Sequence, residues 1–441
     1  MMMNRILFAI VLLWSSTISA ASGISGGYLQ GGSINKLPFF RTTGLQTNVT
    51  ELARFVALSG SGTYLSDKNS VTSHANTASP WGTYTLTAGN WHTSNASGTN
   101  QCVPVGQPYS NAYEFKDAAT DIWALALSGY INSNNTHYAN AKTHILEFTL
   151  MTGFEPSIQN GGNECALKLG AAVAHILEAA WLLENAGYAS WTQDNRITLA
   201  NWAATIFPVV SWPIQIRKNN WGIQTFPSAI AIASYVEGFK STLTKHDATT
   251  VTPTLYIETA ENLLLNWLSR KTAYVMDSDC AIALPPGPYS FGLQANGSFP
   301  DELRRTGGDV NCNQPSIAFA CSGTITCSDT GGHFYQQKST VGLAHTCEIL
   351  RRLKGTGSSC FDLRVHGGDD PMVFDAAQFS TGGNFTSYYI QDTTQGFRYV
   401  AGEYYVSASL LAALDDGDVS VRGGRDYAYT RITHASGVAY P

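Results

Sequence analysis

Three clusters of polar and aromatic residues are of types that could do chemistry. Arg217, Lys218, Asn219, Asn220, Trp221 and Gly222 are consecutive. Side-by-side cationic and amide groups can grip a carboxylate, and the flat indole suits the apolar side of a pyranose ring. The same run also reads as a turn between helices, its asparagines capping the helix around Ser228. In the second cluster, from Asn296 to Arg305, two adjacent guanidinium groups, Arg304 and Arg305, follow a turn. They suit bidentate capture of an anion, or internal ion pairs with Asp301 and Glu302. His333, Phe334 and Tyr335 form the third cluster, at the start of a predicted helix. A phenol in the positive field of a helix N-terminus ionises at lower cost, although most tyrosines are packing groups.

The elements that must position these groups are helical. From Gly23 to about Tyr113 the chain is rich in Gly, Ser, Thr and Asn and reads as irregular structure or short strands. Helical signals follow over Asp117–Tyr130 and His137–Met151. Over 164–187, Leu169, Val173, Ile176, Leu177, Ala180 and Leu183 recur at spacings of three and four, and Asn185 and Gly187 stop the run. Further helices are predicted over Asp194–Phe207, with Pro208 beyond, and Ser228–Phe239. Thr252-Pro253 supplies an N-cap with proline at the first helical position, and Arg270 and Lys271 close that helix. The 280–332 segment, rich in Gly, Pro and Cys, reads as a long stapled loop before helices at His333–Lys354 and Ala401–Leu414. Repeated helix pairs point to an array of hairpins, either in a line or closed into a ring.

Composition narrows the function classes. The 441 residues are 44% hydrophobic and only 13% charged, about half the roughly 25% of ordinary soluble domains. Residues 1–20 place Arg5 before an apolar run that ends in small residues around Ala20, the pattern of a secretory signal peptide. No later run has the roughly 20 uninterrupted apolar residues of a spanning helix. The expectation is a soluble chain in the extracellular space or periplasm, with no membrane partner. One domain over 21–441 is the simplest division, since no linker interrupts the chain. Loss of Arg5 takes the formal charge from −6 to −7, a field that repels polyanions and argues against nucleic acid. An acidic substrate must then be held by local Arg, Lys and Asn. Eight cysteines, at 102, 165, 280, 312, 321, 327, 347 and 360, suit disulfides in an oxidising compartment, and no CxxC pair suggests a metal. Sequons at Asn48, Asn95, Asn134, Asn296 and Asn384 permit glycosylation in a eukaryotic secretory pathway.

The order of the clusters carries a resemblance. The stretches AWLLENAGYASWTQDNRITLANWAATIFPVV, NNWGIQTFPSAIAIASYVEG, NGSFPDELRR and HFYQQKSTVGLAHTCEILRR, over roughly residues 110–355, resemble the alginate lyase superfamily of polysaccharide lyases. The resemblance implies an all-α (α/α) toroid whose cleft binds a uronic-acid polymer and cleaves it by β-elimination without a cofactor. It sets Tyr335 at the family's catalytic tyrosine, Arg305 or Arg304 at its carboxylate-binding arginine, and Asn219 and Asn220 at its Asn-Asn pair. The mannuronan-cleaving branch continues that pair with histidine, where this chain has Trp221. His175 and His333 are then the nearest histidines for the vacant role. Asn163 resembles an asparagine that related lyases place at the cleft. The loop at 306–332, with three cysteines, departs from the short connection expected between arginine and tyrosine.

The chemistry follows from a uronate. Its C5 proton lies beside a carboxylate, so abstraction needs donors that neutralise that group, here Asn220, Asn163 and Arg305. A base takes the C5 proton and an acid protonates the departing O4. Tyr335 serves both when the two lie on one face of the ring, and His175 or His333 is the base when they lie on opposite faces. Two other classes compete. A glycoside hydrolase on a similar toroid needs two carboxylates across the bond, with Asp301, Glu302 and Glu164 available. A non-catalytic polysaccharide-binding protein needs only the aromatic cleft.

Overall fold

The computed structural model describes residues 44–45, 47–80, 86–94, 101–106, 114–154, 164–216, 220–269, 330–364, 370–381 and 433. The expected signal peptide at 1–20, Asn163, Arg217, Lys218, Asn219, Arg304, Arg305, the 280–329 segment and the helix expected at 401–414 lie outside the described residues.

Two helices, α1 (Val49–Leu58) and α2 (Gly62–Thr77), open the described chain, where irregular structure is expected from composition. α1 forms because Asn48 Oδ1 accepts from Glu51 N at 2.8 Å and Glu51 Oε2 accepts from Asn48 N at 2.9 Å, a reciprocal capping box. α2 buries Asp67, Val71, His74 and Ala75, a helical stripe in which two members are polar. A hydrophobicity pattern does not register such a stripe. Strands β1 (Gly89–Ser94) and β2 (Gln101–Pro104) pair antiparallel, as the strand alternative for this region anticipates.

The helices α3 (Glu114–Asn132), α4 (Asn135–Phe148), α5 (Glu164–Asn185) and α6 (Gln193–Ser211) follow, with β3 (Met151–Thr152) pairing parallel with β1 between α4 and α5. α6 continues through Pro208 rather than ending before it. After the one-turn α7 (Pro213–Ile216), α8 (Asn220–Val236) begins well before Ser228, where its start is expected. Ser228 is therefore mid-helix and fully buried, donating to the Gly170 carbonyl at 2.6 Å and accepting from Ala174 N at 3.0 Å. A small hairpin, β4 (Leu243–Thr244) and β5 (Thr250–Val251), leads to α9 (Pro253–Ser269). Thr252 caps α9 as expected, its hydroxyl accepting from Leu255 N at 3.1 Å. α10 (Thr330–Lys354) stops at Gly355, whose φ of 57° favours glycine, and α11 (Met372–Thr381) closes the described helices.

The fold is thus mainly helical. α2, α3, α5, α8 and α10 pack one against the next, while α4 packs on α3, and α6 and α9 pack on α8. Helices α5 and α6, with the turn after α6, are long and apolar enough to cross a membrane by composition, over Glu164–Asn185 and Gln193–Gln215. Their apolar windows are 89% and 67% buried inside the protein, which is the condition of core helices. Trp91, Trp123, Phe115, Phe148, Phe207 and Phe226 are among the largest fully buried side chains of the core.

Two disulfides join described residues, Cys102–Cys165 and Cys347–Cys360. They close 63- and 13-residue separations, so loop-closure entropy gives about 4 and about 3 kcal/mol respectively. Replacing each pair by serine should therefore lower the denaturant midpoint more for Cys102/Cys165. Equal losses would show that chain entropy is not what these bonds supply.

Glu261 ties α9 to the end of α10. Burial alone raises its carboxyl, but bonds from Lys354 Nζ at 2.7 Å, Ser358 Oγ at 2.5 Å and Ser359 N at 2.9 Å outweigh burial and hold it below the ordinary glutamate range. The unfolded chain binds this proton first. The stabilisation is present above the ordinary glutamate pKa and is lost as pH falls through the depressed one. Glu261→Gln should accordingly flatten the acid side of the stability–pH curve, measured by urea unfolding between neutral and acid pH.

Candidate functional site

Three helices meet around the residues singled out in the sequence. α5 and α8 run in the same direction, since Gly170 faces Thr225 and Ala174 faces Ser228. α10 joins them with Gly342 against Ile223 and His345 against His175. All three N-terminal ends therefore lie at one end of the bundle.

Close approach here has a local cause. Pro227 lies inside α8 and has no N–H, so the Ile223 carbonyl four residues back lacks its helical donor. Gly342 packs on that carbonyl, where an added Cβ would stand 2.6 Å from the Ile223 oxygen. Gly170 does the same against Thr225, with an added Cβ 2.4 Å from Thr225 Cγ2.

Asn220 begins α8 and is 3% exposed, and Trp221 beside it is half-buried. The asparagine thus sits in the first turn of the helix rather than in a turn preceding it. Lys168, on the second turn of α5, is 7% exposed and pairs with Glu164 Oε1 at 3.0 Å. Lys338 on α10 is 8% exposed. Tyr335 and His333 lie in the N-terminal part of α10, which begins at Thr330, ahead of the start expected at His333. Tyr335 consequently belongs to the second turn, beyond the strongest part of the field of the helix end.

His175, on α5, is 1% exposed. It stacks on His345 of α10, with ring centroids 6.2 Å apart and planes inclined by 29°. His345 is a residue that the sequence reading passes over. It lines a cavity with Gly170, Ala171, Ala174, Gln224, Pro227, Val341 and Gly342. Its signal was helical spacing: Lys338, Val341 and His345 repeat at three and four on α10. Of the two histidines proposed for the vacant role, His175 thus lies behind another imidazole, and the wall of the cavity belongs to His345.

The structure brings Asn220, Trp221, His175 and the α10 segment that carries His333 and Tyr335 into one three-helix unit. Lys218, Asn219, Asn163, Arg304 and Arg305 fall outside the described residues. Among the described residues, no group of three or more His, Cys, Asp or Glu is arranged to hold a metal ion.

No family model matches the chain, and no curated protein matches it. Among solved structures, it is similar to an alginate lyase from Bacteroides ovatus at 13% identity and a TM-score of 0.55. The match covers 89% of this chain and 99% of that one. At that identity the likeness is one of fold, and the chain has a distant alginate lyase-like fold.

Proposed function

We propose that the protein is an exported polysaccharide lyase, built as an (α/α) toroid, that cleaves a uronic-acid polymer by β-elimination. The polymer is alginate-type polymannuronate or polyglucuronate. The observation that carries this reading is the meeting of Asn220, Lys338 and the Tyr335-bearing part of α10 at one end of parallel helices, in a fold like that of an alginate lyase.

In the reaction, Asn220, assisted by Arg305 and Asn163, donates hydrogen bonds to the uronate carboxylate. That disperses the charge that grows when C5 loses its proton. The C5–H electron pair becomes the C4–C5 double bond, the C4–O4 bond breaks, and O4 leaves with a proton. Tyr335 removes the first proton and returns one to O4 when both lie on one face of the ring. For opposite faces the base is a histidine, His333 or the His175–His345 pair. Asn219, Lys218, Arg304 and Trp221 bind neighbouring sugar units, the indole by stacking. Neither water nor a cofactor is consumed.

A hydrolase would need two carboxylates flanking the bond. Of its candidates, Glu164 is engaged with Lys168, and Asp301 and Glu302 lie outside the described residues. The test is incubation of the mature chain with polymannuronate, polyguluronate and polyglucuronate while ultraviolet absorbance of the conjugated double bond is followed. A rise on one of these polymers is expected. New reducing ends without absorbance would move the protein to the hydrolases, and binding without either product would make it a carbohydrate-binding protein.

A further inference from the structure

Asn134, Asn135 and Thr136 form an Asn-x-Thr sequon at the turn between α3 and α4. Backbone bonds close this turn. Ser133 is in the left-handed region with φ 51°, its N donates to the Tyr130 carbonyl at 3.3 Å, and Asn134 N donates to the Gly129 carbonyl at 2.8 Å. The two bonds are the Schellman closure of α3. Ser133, Asn135 and Thr136 are exposed and Asn134 is half-buried, whereas His137 and Tyr138, next along α4, are only 4% and 6% exposed.

Of the turn's side chains, that of Asn134 has a structural task, and the task uses one end of the amide. Asn134 Oδ1 caps α4, accepting from Thr136 N at 3.0 Å and His137 N at 3.3 Å. Its Nδ2 donates to none of the described residues and is not buried. A substituent on Nδ2 leaves the carbonyl oxygen in place, so the modified side chain still caps the helix. Asn48, the other sequon asparagine among the described residues, has core on both sides. Thr47 is fully buried and donates to the Thr433 carbonyl at 3.0 Å, and Glu51 is 2% exposed and bound to Arg352. Asn134 also stands clear of the proposed site. Tyr138, one turn into α4, stacks on Tyr188 just beyond the C-terminal end of α5, with ring centroids 5.4 Å apart. The 22 residues of α5 span about 33 Å, and the groups assigned to the substrate lie at its other end.

We propose that Asn134 is a modification site that carries an N-linked glycan, at the end of the helices opposite the substrate groups. The bond forms between Asn134 Nδ2 and C1 of the first sugar of an oligosaccharide donated by a lipid-linked pyrophosphate. Nδ2 gives up one proton, and the lipid pyrophosphate leaves with the electron pair of its bond to C1. The inference is independent of the lyase reading, because it rests on the turn and its exposure.

The test is peptide mass spectrometry of the mature protein recovered from its natural source. An amidase that releases N-glycans, used in heavy-oxygen water, converts each glycosylated asparagine into an aspartate that carries the label. The tryptic peptide between Lys116 and Lys142 contains Asn134 and no other sequon. Labelled aspartate at position 134 is the expected result. An unlabelled Asn134 overturns the proposal, whether the protein is bare throughout or labelled at Asn48 alone. The full chain with its own leader is also secreted from a eukaryotic host, as wild type and as the variants Asn134→Asp and Thr136→Val. Each variant should lose the mass of one glycan. Aspartate caps a helix as well as asparagine does, so Asn134→Asp should unfold at the same temperature as the enzymatically deglycosylated wild type. A glycan mass retained in both variants would place the sugar elsewhere and overturn the assignment. Should either variant fail to be secreted, the other decides, since one removes the acceptor and the other the sequon hydroxyl. The readout is covalent mass, so failure of the lyase reading leaves this result unaffected.

Discussion

Arg352→Met lowers the stability of the protein by about 3–5 kcal/mol, the cost of leaving buried charge uncompensated. Arg352 Nη1 and Nη2 hold the two oxygens of Glu51 at 2.9 and 3.1 Å, and its Nε donates to Glu348 Oε1 at 2.7 Å. The side chains of Arg352, Glu51 and Glu348 are 0%, 3% and 0% exposed, so water cannot take over any of these bonds. Glu51 belongs to α1 and Arg352 to the last turns of α10, 301 positions away. The network ties the first described helix to the tenth. Urea unfolding of the single variant and of Glu51→Gln/Glu348→Leu/Arg352→Met, in which an amide oxygen at position 51 can still accept from Asn48 N, separates two explanations. If uncompensated charge is the cause, the triple variant recovers most of the loss. A single variant that costs less than 1 kcal/mol would show that the site is wet and the ion pairs superficial.

On the proposed lyase reading, Tyr335→Phe should reduce double-bond formation by about 10²- to 10⁴-fold in kcat, the range for losing a positioned proton-transfer group, with KM little changed. The substitution removes only a hydroxyl, so a merely packed tyrosine would leave kcat near the wild-type value. Other tyrosines are poor substitutes. Burial pushes the Tyr256 phenol well up, and burial with the neighbouring Glu184 does the same for Tyr235. Burial raises Tyr130 as well. None of these three gives up a proton near neutral pH. The measurement is the initial rate on the cleaved polymer across substrate concentration, with Tyr235→Phe as the control whose kcat should stay unchanged.

Helices whose signals lie within a few residues were legible. The three-and-four spacing from Leu169 to Leu183 marks α5, and its end at Asn185 agrees. Thr252-Pro253 marks the start of α9 because cap and proline act within one turn. α8 starts at Asn220, ahead of the boundary that its sequence suggests at Ser228. Pro227 and the polar residues before it look like a boundary, yet tertiary packing carries the helix through them, with α10 pressed against the carbonyl that the proline leaves unbonded. α2 was missed because two of its four inward residues are Asp67 and His74. His74 faces Asp121 of α3 at 2.5 Å, a partner that local pattern does not reveal.

The candidate site divides in the same way. Asn220, Trp221, Tyr335 and His175 drew attention through residue type and order along the chain. His345 and Gln224 did not, since a histidine and a glutamine on apolar helices have no distinctive neighbours in sequence. Local sequence by itself determined where most helices run, because caps, prolines and i, i+4 contacts act over a few residues. The tertiary structure alone decided which faces meet. Glu51 finds Arg352, His175 finds His345, and Gln224 lines a cavity with Gly170, Ala171, Ala174 and Gly342. Those outcomes depend on how helices far apart in the chain pack into one core, and no short-range pattern encodes that geometry.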